Sequence, residues 1–468
     1  MKKILNFKNL KLGFLIFIEV IKRNKISLAL SLVATALIFF AQYKFKLFYD
    51  PNSISIGLIG TYQEYDLPLE VTRLISQSLV EEDSDGRIKG KLVSGWDTNN
   101  DATIFKFKLK DNLFWIDGSV VKSRDLDLNI PNIEISYPDD KTIQFKLKEP
   151  YSALPSLLTK PILKKGSLLG IGPYKLQKIE KSRIFITKIE LKSTDPKLPN
   201  IFIRFYPSEK VAVTGFNLGE VQSILGISNS KAFMNNPQVS LKQKTDYTKI
   251  VSILIQTQDT FLSNRSLRQA LAFAAPKIEN EEVANNPYPT FLWAYNPGSK
   301  KYLSNPDEAK SALERAKSSV PDEKLASEFI LTATPNLEEI GNKVINSWKN
   351  LGLNPKLRIE SGIAQNFQAL LITQSIPEDP DQYFLWHATQ TKTNLTKYDS
   401  KRVDKDLEDG RKLIPEEDRK AKYFDFQKTL LEDAPATYLY FPKYNIIYLK
   451  RAENNLNRLK PYLNLGGS

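Results

Sequence analysis

Apolar and polar positions alternate strictly in two early stretches of the chain. Thr103–Lys110 (TIFKFKLK) sets Phe105, Phe107 and Leu109 against Lys106, Lys108 and Lys110, and Thr142–Lys148 (TIQFKLK) sets Ile143, Phe145 and Leu147 on one face. A period of two predicts half-buried strands. Ser53–Leu58 and Lys249–Ile255 are more uniformly apolar, as strands covered on both faces are. Beyond residue 260 the period lengthens. Ser266–Pro276 reads as a helix, and Asn305-Pro306-Asp307-Glu308 opens another, with Asn at the cap and Pro at the first helical position. Thr334-Pro335 opens a third that carries Ile340, Val344, Ile345, Trp348 and Leu351 on one face and stops at Gly352. A fourth starts at Pro415, its acidic first turn matched to the helix dipole, and runs to about Leu431. Strands at Asn354–Ile359, Ala369–Thr373 and Thr437–Leu449 alternate with these helices. The pattern predicts an α/β fold, a mixed sheet with helices on both faces. At 468 residues the chain exceeds what one core usually organises, so at least two lobes are expected.

The N-terminus is different in kind. Ile26–Ala41 holds sixteen residues without a charge, and Met1–Lys25 carries seven Lys or Arg against Glu19 alone. The run is a little short of the roughly 20 residues of a bilayer span, and Lys25, Tyr43 and Lys44 can make up the length at the interface. The basic excess predicts a cytoplasmic N-terminus and an extracytoplasmic remainder. No small-x-small site closes the apolar run, which favours an uncleaved signal-anchor over a cleaved signal peptide. Leu10–Ile21 holds Lys11 and Glu19 and reads as an interfacial helix.

Composition removes much common enzymology. There is no cysteine, which excludes thiol nucleophiles, thiolate metal sites, disulfides and a lipid-modified N-terminus; His387 is the one histidine, which excludes multi-His metal centres. The net charge is +13; the leader accounts for +6, and the remaining +7 is spread over many lysines with no arginine stripe interleaved with aromatics. Nucleic-acid binding therefore has little support. The chain contains no phosphate-binding glycine loop, dinucleotide fingerprint, nucleophile elbow or H-E-x-x-H. Ser228-Asn229-Ser230-Lys231 fits a pattern short enough to arise by chance, and Asp83-Ser84-Asp85-Gly86 reads as a hairpin turn. No cofactor, metal or enzymatic activity is expected.

In this order the blocks resemble the extracellular solute-binding protein family 5, the dipeptide- and oligopeptide-binding components of ABC importers. Leu92–Leu126 is similar to the family's signature block, with Trp96, Trp115, Asp117, Gly118 and Asp125 at its motif places. Gly170–Leu176 (GIGPYKL) resembles its G-x-G-P-Y turn, and Asn264–Pro276 (NRSLRQALAFAAP) its V-R-Q-A-L helix. Asp307–Ala316, Glu338–Leu353, Glu378–Phe384 (EDPDQYF) and Leu431–Arg451 complete the series. The resemblance implies a two-lobed periplasmic-binding-protein-like fold of type II, joined by two crossing strands that leave lobe I near Ile250–Gln256 and return near Thr437–Tyr448. The implied layout is a cytoplasmic basic segment over residues 1–25, a transmembrane anchor over 26–43, lobe I over 50–250 with 440–468, and lobe II over 251–439. It implies capture of a peptide-like solute by lobe closure and delivery to ABC permease subunits at the membrane.

The sequence also departs from the family. Only Leu126–Pro138 stands where a helical insertion is usual. The W-x-x-D places that hold a peptide's α-ammonium are occupied by Thr373 and Ile376, which cannot neutralise a buried ammonium. Either Asp379 or Asp381 takes that role from a shifted loop, or the ligand is not a free peptide. These two acids flank Pro380 and are candidates for a cationic ligand, a Ca²⁺ or acid–base work, against an ordinary turn. Tyr383 and Trp386 offer aromatic walls, as do Trp293 and Tyr295 in a Pro-rich loop, and Tyr62 and Gln63 follow the first strand, where such folds place cleft residues. For Trp96, Trp115, Asp117, Gly118 and His387 a structural role is expected. The competing readings are a sensory or scaffolding protein that keeps the fold without transport, and a hydrolase built on Asp379 and Asp381.

Overall fold

The computed structural model describes residues 31, 33–39, 51–228, 230, 233, 236–364 and 366–463, and the chain divides into a short N-terminal unit, Met1–Ser53, and a large one, Ile54–Ser468. In the first unit the described residues 33–39 are helical and exposed, and the Thr35 hydroxyl donates to the Ser31 carbonyl at 2.7 Å. The rest of the expected 26–43 anchor, like the basic segment before it, lies outside the described residues. Among the described residues no helix is long and apolar enough to cross a membrane.

The large unit is an α/β fold with two lobes, each built on its own sheet. One lobe, called lobe I here, is built on a seven-stranded sheet. Its spatial order is Val239–Thr245, Lys443–Leu449, Ser223–Ile227, Ser53–Ile59, Asn200–Tyr206, Phe185–Ser193 and Tyr174–Ser182. Ser53–Ile59 pairs in parallel with Ser223–Ile227; both faces of the sheet are covered, which is why this strand reads as an unbroken apolar run. The second lobe has a six-stranded sheet ordered Glu282–Val283, Ala436–Phe441, Lys249–Ile255, Ala369–Ser375, Glu328–Ala333 and Asn354–Ile359. Lys249–Ile255 lies between two antiparallel partners and buries six of its seven residues.

A four-stranded sheet (Val93–Thr98, Ile104–Leu109, Thr142–Lys146, Glu134–Asp139) forms a smaller body with its own core around Phe105, Phe107, Phe145 and Trp115. The alternating segments lie here, and their lysines face outward as the period requires. No helix intervenes between the short 3₁₀ turn Ser123–Asp125 and the strand Glu134–Asp139. This body is fastened to lobe I beside the helix Leu69–Ile75: the Ser76 hydroxyl donates to the Ile162 carbonyl, and the Gly172 N–H donates to the Ile75 carbonyl at 2.7 Å. A Cβ on Gly172 would lie 2.5 Å from the Ile75 carbonyl carbon, so the close approach itself requires glycine.

Two expectations need correction. Thr437–Leu449 is not one strand: Ala436–Phe441 belongs to the sheet of lobe II and Lys443–Leu449 to that of lobe I. Pro442 stands between them, has no N–H to donate to either ladder, and accepts the Asp246 N–H at 2.8 Å. Asp246 is itself in the other crossing, between Val239–Thr245 and Lys249–Ile255, so the two crossings are hydrogen-bonded to each other. The third helix starts later than expected. Pro335–Leu337 is a 3₁₀ turn and the α-helix runs Glu338–Asn350. The Asn305 cap is as expected, its side chain accepting from the Asp307 and Glu308 N–H groups, and Asp83–Gly86 is the turn of the hairpin Val80–Glu82/Ile88–Gly90.

Candidate functional site

The loop after Ala369–Ser375 holds three acids within four residues, and their surroundings differ. Asp379 is buried and pairs with Arg419, Nη2 to Oδ1, at 2.5 Å; Arg419 also donates to the Tyr423 hydroxyl and, through Nε, to the Gly410 carbonyl. Burial alone would weaken the Arg419 cation, but Asp379 and the Tyr423 hydroxyl hold it more firmly protonated than usual. Asp381 is buried too and faces Arg411 at 3.1 Å. Its Oδ2 and the Arg411 Nε are buried without a hydrogen bond, and burial raises the Asp381 carboxyl despite the Arg411 charge. Both arginines lie over aromatic rings. Arg411 is 4.1 Å from the Tyr383 centroid and 4.9 Å from that of Tyr151, and Arg419 is 5.4 Å from that of Trp293. Glu378 pairs with no arginine among the described residues; it accepts the hydroxyl of Thr159, which belongs to the smaller body.

Asp379, Asp381, Tyr383 and Trp293 therefore come together in one cluster. The two acids are neutralised from within the chain, so neither is a bare carboxylate, and among the described residues no group of three or more His, Asp or Glu is placed to hold a metal ion. Trp386 is buried in the core of lobe II, donating Nε1–H to Gln382 at 2.8 Å. The Pro-rich loop carrying Trp293 and Tyr295 owes its order to Gln427. That side chain donates to the Ala294 carbonyl and accepts from the Asn296 N–H and the Asn286 amide, all within 3.0 Å. Tyr295 is half-buried there.

Tyr62 and Gln63 lie elsewhere, just past the end of the central strand Ser53–Ile59 in lobe I. Tyr62 packs on Phe205 with centroids 5.3 Å apart, and its carbonyl accepts the Ile186 N–H. Burial, then the charges of Glu70 and Asp66, raises its hydroxyl. Gln63 is half-buried beside it. Thr373 lies on the strand Ala369–Ser375, and the Ile376 N–H donates to the Thr248 carbonyl, so this segment abuts a crossing. Trp115 is a core residue of the smaller body, Trp96 stacks on Phe107, and Asp117 makes a turn with Ser119. His387 is buried between Thr389 and Glu408, with Nε2 3.2 Å from the carboxylate.

Across the face between smaller body and lobe II the contacts are polar. Arg87 makes a forked ion pair with Glu416 at 2.8–3.1 Å, the Trp293 N–H donates to the Asp85 carbonyl at 3.0 Å, and the Ser152 N–H and hydroxyl both donate to the Arg411 carbonyl. Gly86 is buried against Leu292, with a left-handed φ of +76°. Glu82, next to this turn, keeps more than a third of its surface accessible, yet its carboxyl is pushed up to about 7 by the surrounding protein and by Glu378, Asp83 and Asp379. Its strand packs against the 3₁₀ segment Leu154–Leu158, next to Thr159, which holds Glu378 of lobe II. None of Glu82, Arg87, Arg411, Arg419 or Glu416 is a candidate from the sequence reading. The missed signal was legible in part: Arg419, Tyr423 and Gln427 recur every four residues on the buried face of the helix Glu416–Asp433, where an apolar stripe would be ordinary. Arg268 and Gln269 of the V-R-Q-A-L-like block have a structural task. They donate to the Asp433 and Glu432 carbonyls at that helix's C-terminus.

The fold agrees with that of known proteins. The probable D,D-dipeptide-binding periplasmic protein DdpA of Escherichia coli is 20% identical over 441 residues, 81% of this chain and 84% of that protein. The structure of NikZ from Campylobacter jejuni in complex with Ni(L-His) superposes with a TM-score of 0.67 at 21% identity, over 86% of this chain and 95% of the other. That of AppA from Bacillus subtilis in complex with a nonapeptide gives 0.62 at 18%, over 85% and 94%. At such identities the structures establish the fold alone. The sequence model of the bacterial extracellular solute-binding proteins, family 5 (middle), matches residues 126–395, more than half of the chain. A two-sheet body with paired crossings, carrying that signature over most of both lobes, belongs to the bacterial extracellular solute-binding proteins of family 5.

Proposed function

We propose that this chain captures peptide-like solutes outside the cytoplasm by closing its lobes around them and delivers them to the permease of an ABC transporter, performing no chemistry. The observation that carries the reading is the pair of hydrogen-bonded crossings at Asp246 and Pro442, a hinge joining two sheets in a chain of family 5. DdpA is named for D,D-dipeptides and the Bacillus AppA structure holds a nonapeptide, which supports a peptide-like ligand here. Tyr62, Gln63, Trp293, Tyr295 and Tyr383 remain the proposed ligand-facing aromatic and polar residues; Trp386, the sixth expected from the sequence, is withdrawn because it is buried in the core of lobe II. Asp379 and Asp381 are the proposed anchors of the loop that would meet the ligand's charged end. The expected lobe bounds, 50–250 with 440–468 and 251–439, shift by a few residues to the crossings at Asp246 and Pro442, because Lys249–Ile255 and Ala436–Phe441 lie in the sheet of lobe II; the uncharged run 26–43 is the proposed membrane tether.

Native mass spectrometry of the purified chain is expected to show a co-purifying mass, and calorimetry with peptide pools to show heat. Silence in both across a broad library would sink the proposal. One observation favours a sensory or scaffolding role instead: the usual ammonium partners are Thr373 and Ile376, and both neighbouring acids already have arginines.

A further inference from the structure

The contact between the smaller body and lobe II brings like charges together. Glu82 ends its strand beside the turn that meets Leu292, and its strand packs against the 3₁₀ segment Leu154–Leu158. The residue just after that segment, Thr159, draws Glu378 of lobe II to the same place. The other charged groups around Glu82 are already matched. Asp83 pairs with Lys89, Glu81 with Lys91, Arg87 with Glu416 and Asp85, and Asp379 with Arg419. Leu154–Leu158 and Leu292 contribute no charge. The Glu82 carboxyl makes no hydrogen bond or ion pair among the described residues, and Lys160, exposed beside Thr159, is in no ion pair there either, so among the described residues no ion pair neutralises either Glu82 or Glu378. Like charges in a half-enclosed crevice repel strongly unless one is neutral.

We propose that bringing lobe II onto the smaller body takes up one proton at the Glu82–Glu378 contact, so that acidic surroundings favour the closed form and alkaline surroundings loosen it. In the closed form the Glu82 carboxyl is held at about 7, whereas in an opened crevice it returns towards its ordinary 4.5. The sign follows: closure is strongest below the ordinary value and weakens as pH rises through the closed-form value. Between about pH 5.5 and about pH 8 the closing equilibrium falls roughly threefold to thirtyfold, the upper figure being the full shift and the lower the shift screened by solvent.

The chain has no cysteine, so a pair of reporters can be placed without background. Lys106→Cys on the smaller body and Lys310→Cys on lobe II, both exposed, would carry spin labels or a donor–acceptor dye pair on the full chain. In ligand-free protein the ratio of short- to long-distance populations is expected to fall by that factor from about pH 5.5 to about pH 8. In Glu82→Gln it is expected to stay high and flat, and in Arg87→Gln, which weakens the latch but keeps both acids, to start lower with the same pH response. An unchanged distance distribution across that range, or the same response in Glu82→Gln, overturns the proposal. No solute is present in the measurement, so such a failure leaves the solute-binding reading untouched.

Discussion

Acids in the Glu378–Asp381 loop and the acid that faces it from the other side of the crevice teach opposite lessons. Asp379 and Asp381 are buried and are matched by Arg419 and Arg411 from the same lobe. Glu378 and Glu82 come from different bodies, are wetter, and neither is in an ion pair among the described residues. The first pair gives a loop one shape whatever the lobes do. The second makes the contact between bodies conditional, because its cost depends on whether a proton is present.

Four measurements can break or sharpen this contrast. Arg419→Met strands Asp379 in the core of lobe II, and a loss of about 3–5 kcal/mol in chemical denaturation is expected. Adding Asp379→Leu should recover much of it; a double variant as unstable as the single one would mean that the pair is not a self-contained unit. Arg411→Leu should cost less, about 2–3 kcal/mol, because that guanidinium is partly exposed and incompletely hydrogen-bonded. The Asp381 carboxyl is already raised, so its ionisation subtracts from stability as pH climbs from the ordinary carboxylate value through the folded value. The Arg411→Leu defect should therefore shrink in acid, as melts across pH would show.

Glu82→Gln is expected to do the reverse of a normal polar loss. Above about pH 7 it should stabilise the chain by roughly 0.5–1 kcal/mol after solvent screening, and the gain should fade as pH falls towards the ordinary glutamate value. A destabilised variant would place Glu82 in a favourable interaction instead. The smallest effect belongs to Arg87→Ala. Both partners of Arg87–Glu416 are about two-fifths exposed, so a loss of about 0.2–1 kcal/mol that vanishes in high salt is expected.

Local chemistry wrote much of the fold into the chain. Alternation marks the strands of the smaller body, Asn305 and Pro306 mark a helix start, and blocks such as GIGPYKL and NRSLRQALAFAAP mark the family. These signals survive because period, capping and turn geometry act over a few residues. The single strand expected over Thr437–Leu449 failed for the complementary reason. Nothing local says that Pro442 separates two sheets, since that depends on which distant strands lie on either side.

The site was legible as a list of residues and not as an arrangement. Asp379, Asp381, Tyr383 and Trp293 could be singled out by type, but their partners Arg419 and Arg411 lie 40 and 30 positions away, and Glu82 is nearly 300 positions from Glu378. The sequence by itself determined the α/β class, the family, the absence of thiol chemistry and the period of the most regular elements, because each follows from neighbours along the chain. Only the tertiary structure decided which acids are neutralised and which oppose one another across a crevice, because charge interactions fall off with distance through space and take no account of distance along the sequence.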